Sequence, residues 1–211
     1  MSRGLLITLE GGDGAGKTTS LSFVRRILLE SGREVVVTRE PGGTEIGERI
    51  REILLQGRET MAAETEVMLM FAARNEHLVQ VVRPALARGA CVLCDRFTDA
   101  TYAYQGGGRG VLASRIQILE NWTQAGLQPD LTLLLDIPVD QGQLRSKNRG
   151  SEPDRFEREK IDFFERVRSA YLERARAFPD RIEVIDASRD IPGVEEQLRA
   201  ALTSRLAGIA G

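Results

Sequence analysis

Apolar residues follow two rhythms along this chain. Short runs of strand length, Leu5-Leu6-Ile7-Thr8-Leu9, Glu34-Val35-Val36-Val37-Thr38, Cys91-Val92-Leu93-Cys94, Leu131-Thr132-Leu133-Leu134-Leu135-Asp136 and Ile182-Glu183-Val184-Ile185-Asp186, are separated by longer segments. In those segments apolar positions recur every three or four residues, as at Leu21, Val24, Ile27 and Leu28, at Ile46, Ile50, Ile53 and Leu54, at Phe163, Phe164, Val167, Tyr171 and Leu172, and at Val194, Leu198, Leu202 and Leu206. The runs predict buried strands, the second one included, and the wider spacing predicts helices with one apolar side. Strands alternating with helices in this way predict an α/β fold, a five-stranded parallel sheet covered by helices on both faces. With 211 residues the chain suits a single domain, 1–211.

Three segments depart from that rhythm. From Ala63 to about Arg88 a long helical pattern places Val67, Leu69, Met70, Phe71, Leu78, Val79, Val81 and Val82 around more than one face, which predicts cover by the sheet and by another subunit. Pro84 is expected to kink it or end a turn, and His77, the only histidine, reads as a structural helix residue. Tyr102 to Gly110 combines aromatics, an amide and flexible glycines, and reads as a binding loop closing over something flat and polar. Arg145, Lys147, Arg149 and Arg155, broken by Gly150 and Pro153, read as a mobile basic lid at about 141–156.

The first strand runs directly into Glu10-Gly11-Gly12-Asp13-Gly14-Ala15-Gly16-Lys17-Thr18, which fits G-x-x-x-x-G-K-[ST] between a strand and a helix. Its glycines can turn successive N–H groups inward to cradle phosphate oxygens at a helix N-terminus. Lys17 supplies a point charge for the outer phosphates, and the Thr18 hydroxyl can sit on Mg²⁺. Asp95, at the tip of the third strand, reads as a second group for the metal or its water shell. The pattern predicts a fold of the P-loop NTPase type. Arg39-Glu40-Pro41-Gly42-Gly43-Thr44 follows the second strand and sits where open α/β sheets bind ligands.

Composition narrows the chemistry. A net charge of −2 gives no general basic field, so neither nucleic acid nor an acidic membrane is an expected partner. Lys17, Lys147 and Lys160 are the only lysines among 29 basic residues, so arginine carries most of the positive charge. Cys91 and Cys94 lie within an apolar run and read as buried strand thiols rather than a metal or redox pair. The N-terminus lacks a signal-peptide pattern, and no apolar run reaches the ~18 residues that span a bilayer, so a cytoplasmic location is expected. No nucleophile–His–Asp set stands out. Phosphoryl transfer needs none, because positioning and charge neutralisation supply nearly all the catalysis. A phosphate acceptor would be anionic already; a hydroxyl acceptor would want a carboxylate base, for which Glu10 or Asp13 could serve.

Taken together, Leu9-Glu10-Gly11, Thr38 to Thr44, Phe71-Ala72-Ala73-Arg74, Asp95-Arg96-Phe97, Ala103-Tyr104-Gln105-Gly106 and Asp154-Arg155-Phe156-Glu157 resemble the bacterial thymidylate kinases over nearly the whole chain. The resemblance implies sheet order 2-3-1-4-5, a homodimer packed through helices, and transfer of the ATP γ-phosphoryl to dTMP with Mg²⁺. It implies that Gly11, Gly12, Asp13, Gly14, Ala15, Gly16, Lys17 and Thr18, with Arg145 and Lys147, hold ATP. It implies that Asp13 reaches the acceptor 3′-hydroxyl, that Arg96 bridges both phosphates, and that Arg39 and Arg51 lie near the acceptor phosphate. Phe71 would stack on thymine, Arg74, Thr101 and Gln105 would bond its polar edge, and Tyr104 would exclude a 2′-hydroxyl. Some members carry the catalytic cation in the phosphate loop and others in the lid. Gly14 after Asp13, with Arg149 and Arg155 in the flap, fits the second type. Another nucleoside monophosphate or deoxynucleoside kinase, or a nucleotide-dependent switch, shares the loop but not this base-facing set.

Overall fold

The structure is a computed structural model that describes residues 4–56, 61–147 and 154–209. The first apolar run is β1 (Leu6–Gly11), every residue of which is buried, at the centre of a parallel sheet. β3 (Cys91–Asp95) and β4 (Leu131–Asp136) flank it, and β2 (Val35–Arg39) and β5 (Ile182–Asp186) form the edges, giving the order β2-β3-β1-β4-β5 that the resemblance implies. Leu9 aligns with Asp95 on one side and with Leu133 on the other, so the strands end together at one edge. β2 is not the buried strand that its three valines predict: as an edge strand it is half-exposed, and Val37 is 40% accessible.

Helices α1 (Lys17–Glu30) and α9 (Ile191–Ile209) cover one face, where Val24, Leu28, Leu198 and Leu202 pack on Ile7, Leu9, Leu93 and Leu133. The other face carries more elements. α2 (Glu45–Gln56) packs beside α3 (Ala63–His77), which continues through a wide π-helical turn (Leu78–Val82) into α4 (Arg83–Ala87). Pro84 thus does not end the helix. The turn just before it is widened, as expected where an N–H is missing and a ring presses on the preceding turn. Cys91 and Cys94 are buried, and burial pushes the Cys91 thiol up to about 12.

The segment read as a flexible loop is helical instead. α5 (Thr98–Thr101) runs into a second π-helical turn (Tyr102–Gly108), followed by α6 (Ala113–Gln124). Its glycines serve contact rather than mobility, because the turn lies against α8 (Ile161–Ala177). A Cβ on Gly107 would sit 2.6 Å from that of Ala170, and one on Gly108 would overlap the Phe163 ring. Asp99, almost fully buried, fastens the same region: it accepts from Arg174 of α8 and, at 2.7 and 2.9 Å, from both Nη atoms of Arg181 ahead of β5. α7 (Val139–Lys147) follows β4, and helical structure resumes at Ile161 rather than at Phe156, which is a buried turn residue.

Gly108→Ala is therefore expected to lower folding stability by about 1–3 kcal/mol, the usual effect of overpacking. Urea unfolding of the variant beside the parent measures it; an unchanged midpoint would show that the Phe163 ring yields freely.

Candidate active site

The phosphate loop is shaped for an anion before any ligand arrives. Gly11, Gly14 and Gly16 hold positive φ of 138°, 76° and 85°, conformations that side chains rarely adopt. Gly16 precedes α1 and offers no side-chain cap, and the first turn holds no acidic residue, which leaves the helix's first N–H groups and its positive dipole end available. Lys17 Nζ donates to the carbonyls of Gly11 and Gly12 at 3.1 and 3.0 Å, pinning the loop's own backbone. Burial and the neighbouring Arg96 charge lower its pKa to about 8, so an arriving polyphosphate would restore the charge that the site itself weakens. The loop also sits tight against α7: a Cβ on Gly14 would overlap the Gly142 carbonyl, and one on Gly142 would lie 2.7 Å from the Asp13 carbonyl.

Arg96 stands at the end of β3 with φ of 67°, the left-handed region that costs a non-glycine residue about 1–2 kcal/mol. Its surroundings hold it there. The Arg96 N–H donates to Leu9 O at 2.9 Å, and the next amide, Phe97 N–H, donates to Glu10 Oε1 at 2.7 Å. Tyr171 of α8 donates to Glu10 Oε2 at 2.8 Å and accepts from Arg96 Nη1 at 3.2 Å. Arg96 Nη2 donates to Asp13 Oδ1 and to the Tyr104 hydroxyl, both at 3.0 Å, with its plane over the Tyr104 ring. Glu10 is fully buried, and burial, reinforced by the Asp99 charge, raises its pKa to about 8 against the pull of Arg96. Sealed from solvent, Glu10 cannot serve a hydroxyl acceptor as base; its work is to hold the backbone under Arg96.

A cavity of about 660 Å³ opens from the loop, with Asp13, Lys17, Thr18, Asp95 and Arg96 at one end and Arg51, Met70, Arg74, Phe97, Thr101, Tyr104 and Gln105 along its walls. Arg74 is buried and directed by an acid and a hydroxyl: its Nε donates to Glu40 Oε2 at 2.7 Å and its Nη2 to Thr101 Oγ1 at 2.9 Å. His77 Nδ1 lies 2.9 Å from Glu40 Oε1 and its Nε2 lies 2.7 Å from Thr38 Oγ1, so the histidine is structural, as read, and braces the acid behind Arg74. Burial would raise the Glu40 carboxyl, but the Arg74 guanidinium and the His77 ring outweigh it and hold it below the ordinary range. Two buried polar atoms have no hydrogen-bond partner among the described residues, Arg74 Nη1 and Asp95 Oδ1. Such orphans are costly, and both belong to cavity-lining residues.

The structure brings most of the expected set together and sends some of it elsewhere. Arg51 donates to Pro41 O at 2.9 Å at the cavity wall. Arg39 does not line the cavity and turns outward to Glu48 at 2.8 Å. Phe71 is buried beneath Arg74 among Val67, Val111 and Ile116, and Met70 holds the wall position instead. Arg155 also lies outside the cavity, held by Leu54 O at 2.8 Å and by the Glu66 carboxylate. Arg149 falls outside the described residues. Arg145 lines the same cavity and donates to Ala187 O at 2.8 Å, beside a small recess that also reaches Ala15, Gly16 and Arg189. Lys147 lines a separate cavity behind the loop, with Gly11, Gly12 and Asp13. The sequence reading missed Glu66, Tyr171 and Met70, and it missed the parts that Glu40 and His77 play behind Arg74 at the cavity wall. Polar residues placed at helix-core spacing, Glu66 three before Leu69 and His77 three after Arg74, were the available signal.

A phosphate loop that opens into one cavity walled by Arg51, Arg74 and Arg96 suits phosphoryl transfer onto a second anionic group, and with this sheet it defines a P-loop nucleotide kinase. The family model described as thymidylate kinase matches residues 9–198. Curated thymidylate kinases from Pseudomonas entomophila and Nitrosospira multiformis are 57% and 54% identical, over 94% and 96% of this chain and 95% and 98% of their own lengths. A crystal structure of thymidylate kinase from Ehrlichia chaffeensis superposes with a TM-score of 0.77 at 32% identity, over 95% of this chain and 99% of that one. The chain belongs to the thymidylate kinase family and is an ATP-dependent nucleoside monophosphate kinase.

The Glu10 reading has a pH signature. Below the ordinary carboxylate range both folded and unfolded chains carry its proton, and its contribution to stability is fully present. That contribution is lost as pH rises toward about 8, where the folded state must also ionise the buried acid, and it changes no further above that. Urea midpoints across this range are expected to fall less steeply in Glu10→Gln than in the parent; parallel slopes would show an ordinary carboxyl.

Proposed function

We propose that this chain transfers the γ-phosphoryl of ATP to dTMP, giving dTDP and ADP. The observation that carries the acceptor is the orphaned Arg74 Nη1, a buried donor at the wall of a cavity that ends at the phosphate loop. A base carbonyl satisfies it, with Thr101 and Gln105 reaching the remaining polar edge. The flat base would lie between Met70 and Phe97, and Tyr104, fixed by Arg96 and by edge contacts to Phe156 and Phe163, would fill the space of a 2′-hydroxyl. Arg51 would meet the acceptor phosphate.

On the donor side the loop from Gly11 to Thr18 would cradle the ATP phosphates, with Lys17 on the outer ones. Arg145 would face the nucleoside from its place beside Ala187, and Lys147 would approach the loop from the cavity it shares with Gly11, Gly12 and Asp13. Asp13, held by Arg96, would turn its free oxygen to the acceptor sugar, and Arg96 would span the two phosphates in a bidentate manner. The orphaned Asp95 Oδ1 and the exposed Thr18 fit Mg²⁺ or its water shell. When bound, the metal would neutralise charge on the transferring phosphates. The acceptor oxygen is anionic already, so no general base is required. We read the chain as one domain with a lid at about 141–156, acting in the cytoplasm; no helix among the described residues is long and apolar enough to cross a membrane.

We also propose a homodimer. Met68 of α3, Val79 of the turn after it, and Ile118 and Trp122 of α6 are exposed on helices that pack side by side, and Trp122 is 80% accessible. So much apolar surface is unusual for a monomer.

An ADP-release assay over a panel of monophosphates is expected to give dTMP as the best acceptor, and Arg96→Ala to lower kcat by about 10²–10³ with its fold retained. Faster turnover of GMP, CMP or thymidine would overturn the acceptor. Trp122→Glu is expected to shift the sedimentation coefficient from dimer to monomer; an unchanged dimer would place the interface elsewhere.

A further inference from the structure

Gln105 has a side-chain amide that can present either end to a base, and its orientation decides which bases fit. Its Nε2 donates to Glu66 Oε1 at 2.8 Å, and both residues are buried. Glu66 is the meeting point of three donors. Arg155 binds its other oxygen, and Arg109 Nε lies 3.5 Å from Oε1. With two guanidinium groups on it, this carboxyl can only accept, so the amide oxygen of Gln105 has no place facing it. Rotating the amide would set oxygen against oxygen inside the protein, where an unmade bond and a repulsion both count heavily.

We infer that Glu66 is a positioning residue that sets base selectivity by locking Gln105 with its carbonyl toward the acceptor cavity. The inference rests on the dTMP-acceptor reading and deepens it. A carbonyl at that point accepts from the N3–H of thymine or uracil. Cytosine offers an unprotonated N3 acceptor instead, which leaves two acceptors facing each other. Arg74 repeats the discrimination at the next position, since its orphaned Nη1 suits a C4 carbonyl and opposes a C4 amino group. Each reader is thus held by a buried acid on another element, Gln105 by Glu66 of α3 and Arg74 by Glu40 after β2. The acids never touch the base. They fix which end of each reader does.

The test compares acceptors rather than total activity. Glu66→Gln can offer Gln105 either a donor or an acceptor, so the Gln105 amide becomes free to turn. The ratio of kcat/KM for dCMP to that for dTMP is expected to rise by about tenfold or more, while the ratio for dUMP to dTMP, which share N3–H and O4, stays constant. A merely structural Glu66 would lower all three together and leave both ratios fixed, which would overturn the inference while dTMP activity in the parent upheld the reaction. A parent inactive on dTMP would overturn both. Should the variant fail to fold, NMR of the parent with bound dTMP decides: a coupling across the hydrogen bond between the thymine imino N3–H and the Gln105 side-chain carbonyl supports the inference. An imino proton free to exchange with solvent overturns it.

Discussion

A buried carboxyl group beneath an arginine is the constraint on which this site rests. Glu10 belongs to the central strand, yet its oxygens are spent on the Phe97 amide and the Tyr171 hydroxyl, that is, on the neighbouring strand's exit and on a helix from the far half of the chain. That places one side chain under the left-handed turn at Arg96 and ties three distant segments to it. Burial raises the Glu10 pKa, since a charge at that depth is poorly solvated. The return is an arginine whose guanidinium is aimed before substrates arrive. Preorganisation of this kind removes reorganisation from the reaction itself.

The same device recurs around the acceptor cavity. Glu40 holds Arg74, Glu66 holds Gln105 and anchors Arg155, and Asp99 binds α8 and the start of β5. Buried acids paired to arginine are weak evidence of stability, because desolvation offsets most of the attraction. Their value here is directional: a guanidinium or an amide with one end committed can present only its other end. A chain with three lysines among its 29 basic residues is suited to that economy, since a planar fork can bind an acid and a ligand at once.

Much of this was legible in the sequence. The apolar runs placed each strand to within two residues at either end, because a short run of β-branched and aliphatic residues between turn signals has few other readings. The glycine loop announced itself through backbone demands that only glycine meets. What stayed hidden depended on partners far along the chain. Gly107 and Gly108 look like hinge residues until α8, some sixty positions on, presses against them. Phe71 and Met70 are adjacent, and about 100° of helical rotation, together with the tilt of α3, decides which faces the cavity. Arg155, in the turn ahead of α8, reads as a free cation until Glu66 of α3 claims it. Val35 to Val37 read as buried because nothing local reveals that a strand is the sheet's last.

The close approach of Gly14 to Gly142 bears on how such kinases can diverge. The phosphate loop and α7 touch through two residues that lack side chains, and neither position tolerates a Cβ while the other element stays in place. A lineage of this type could not bring a basic side chain into the loop by one substitution. It would first have to move the start of α7 away, and with it the rest of that helix. The location of the positive charge, in loop or lid, would then be a joint property of two distant segments rather than of either one alone.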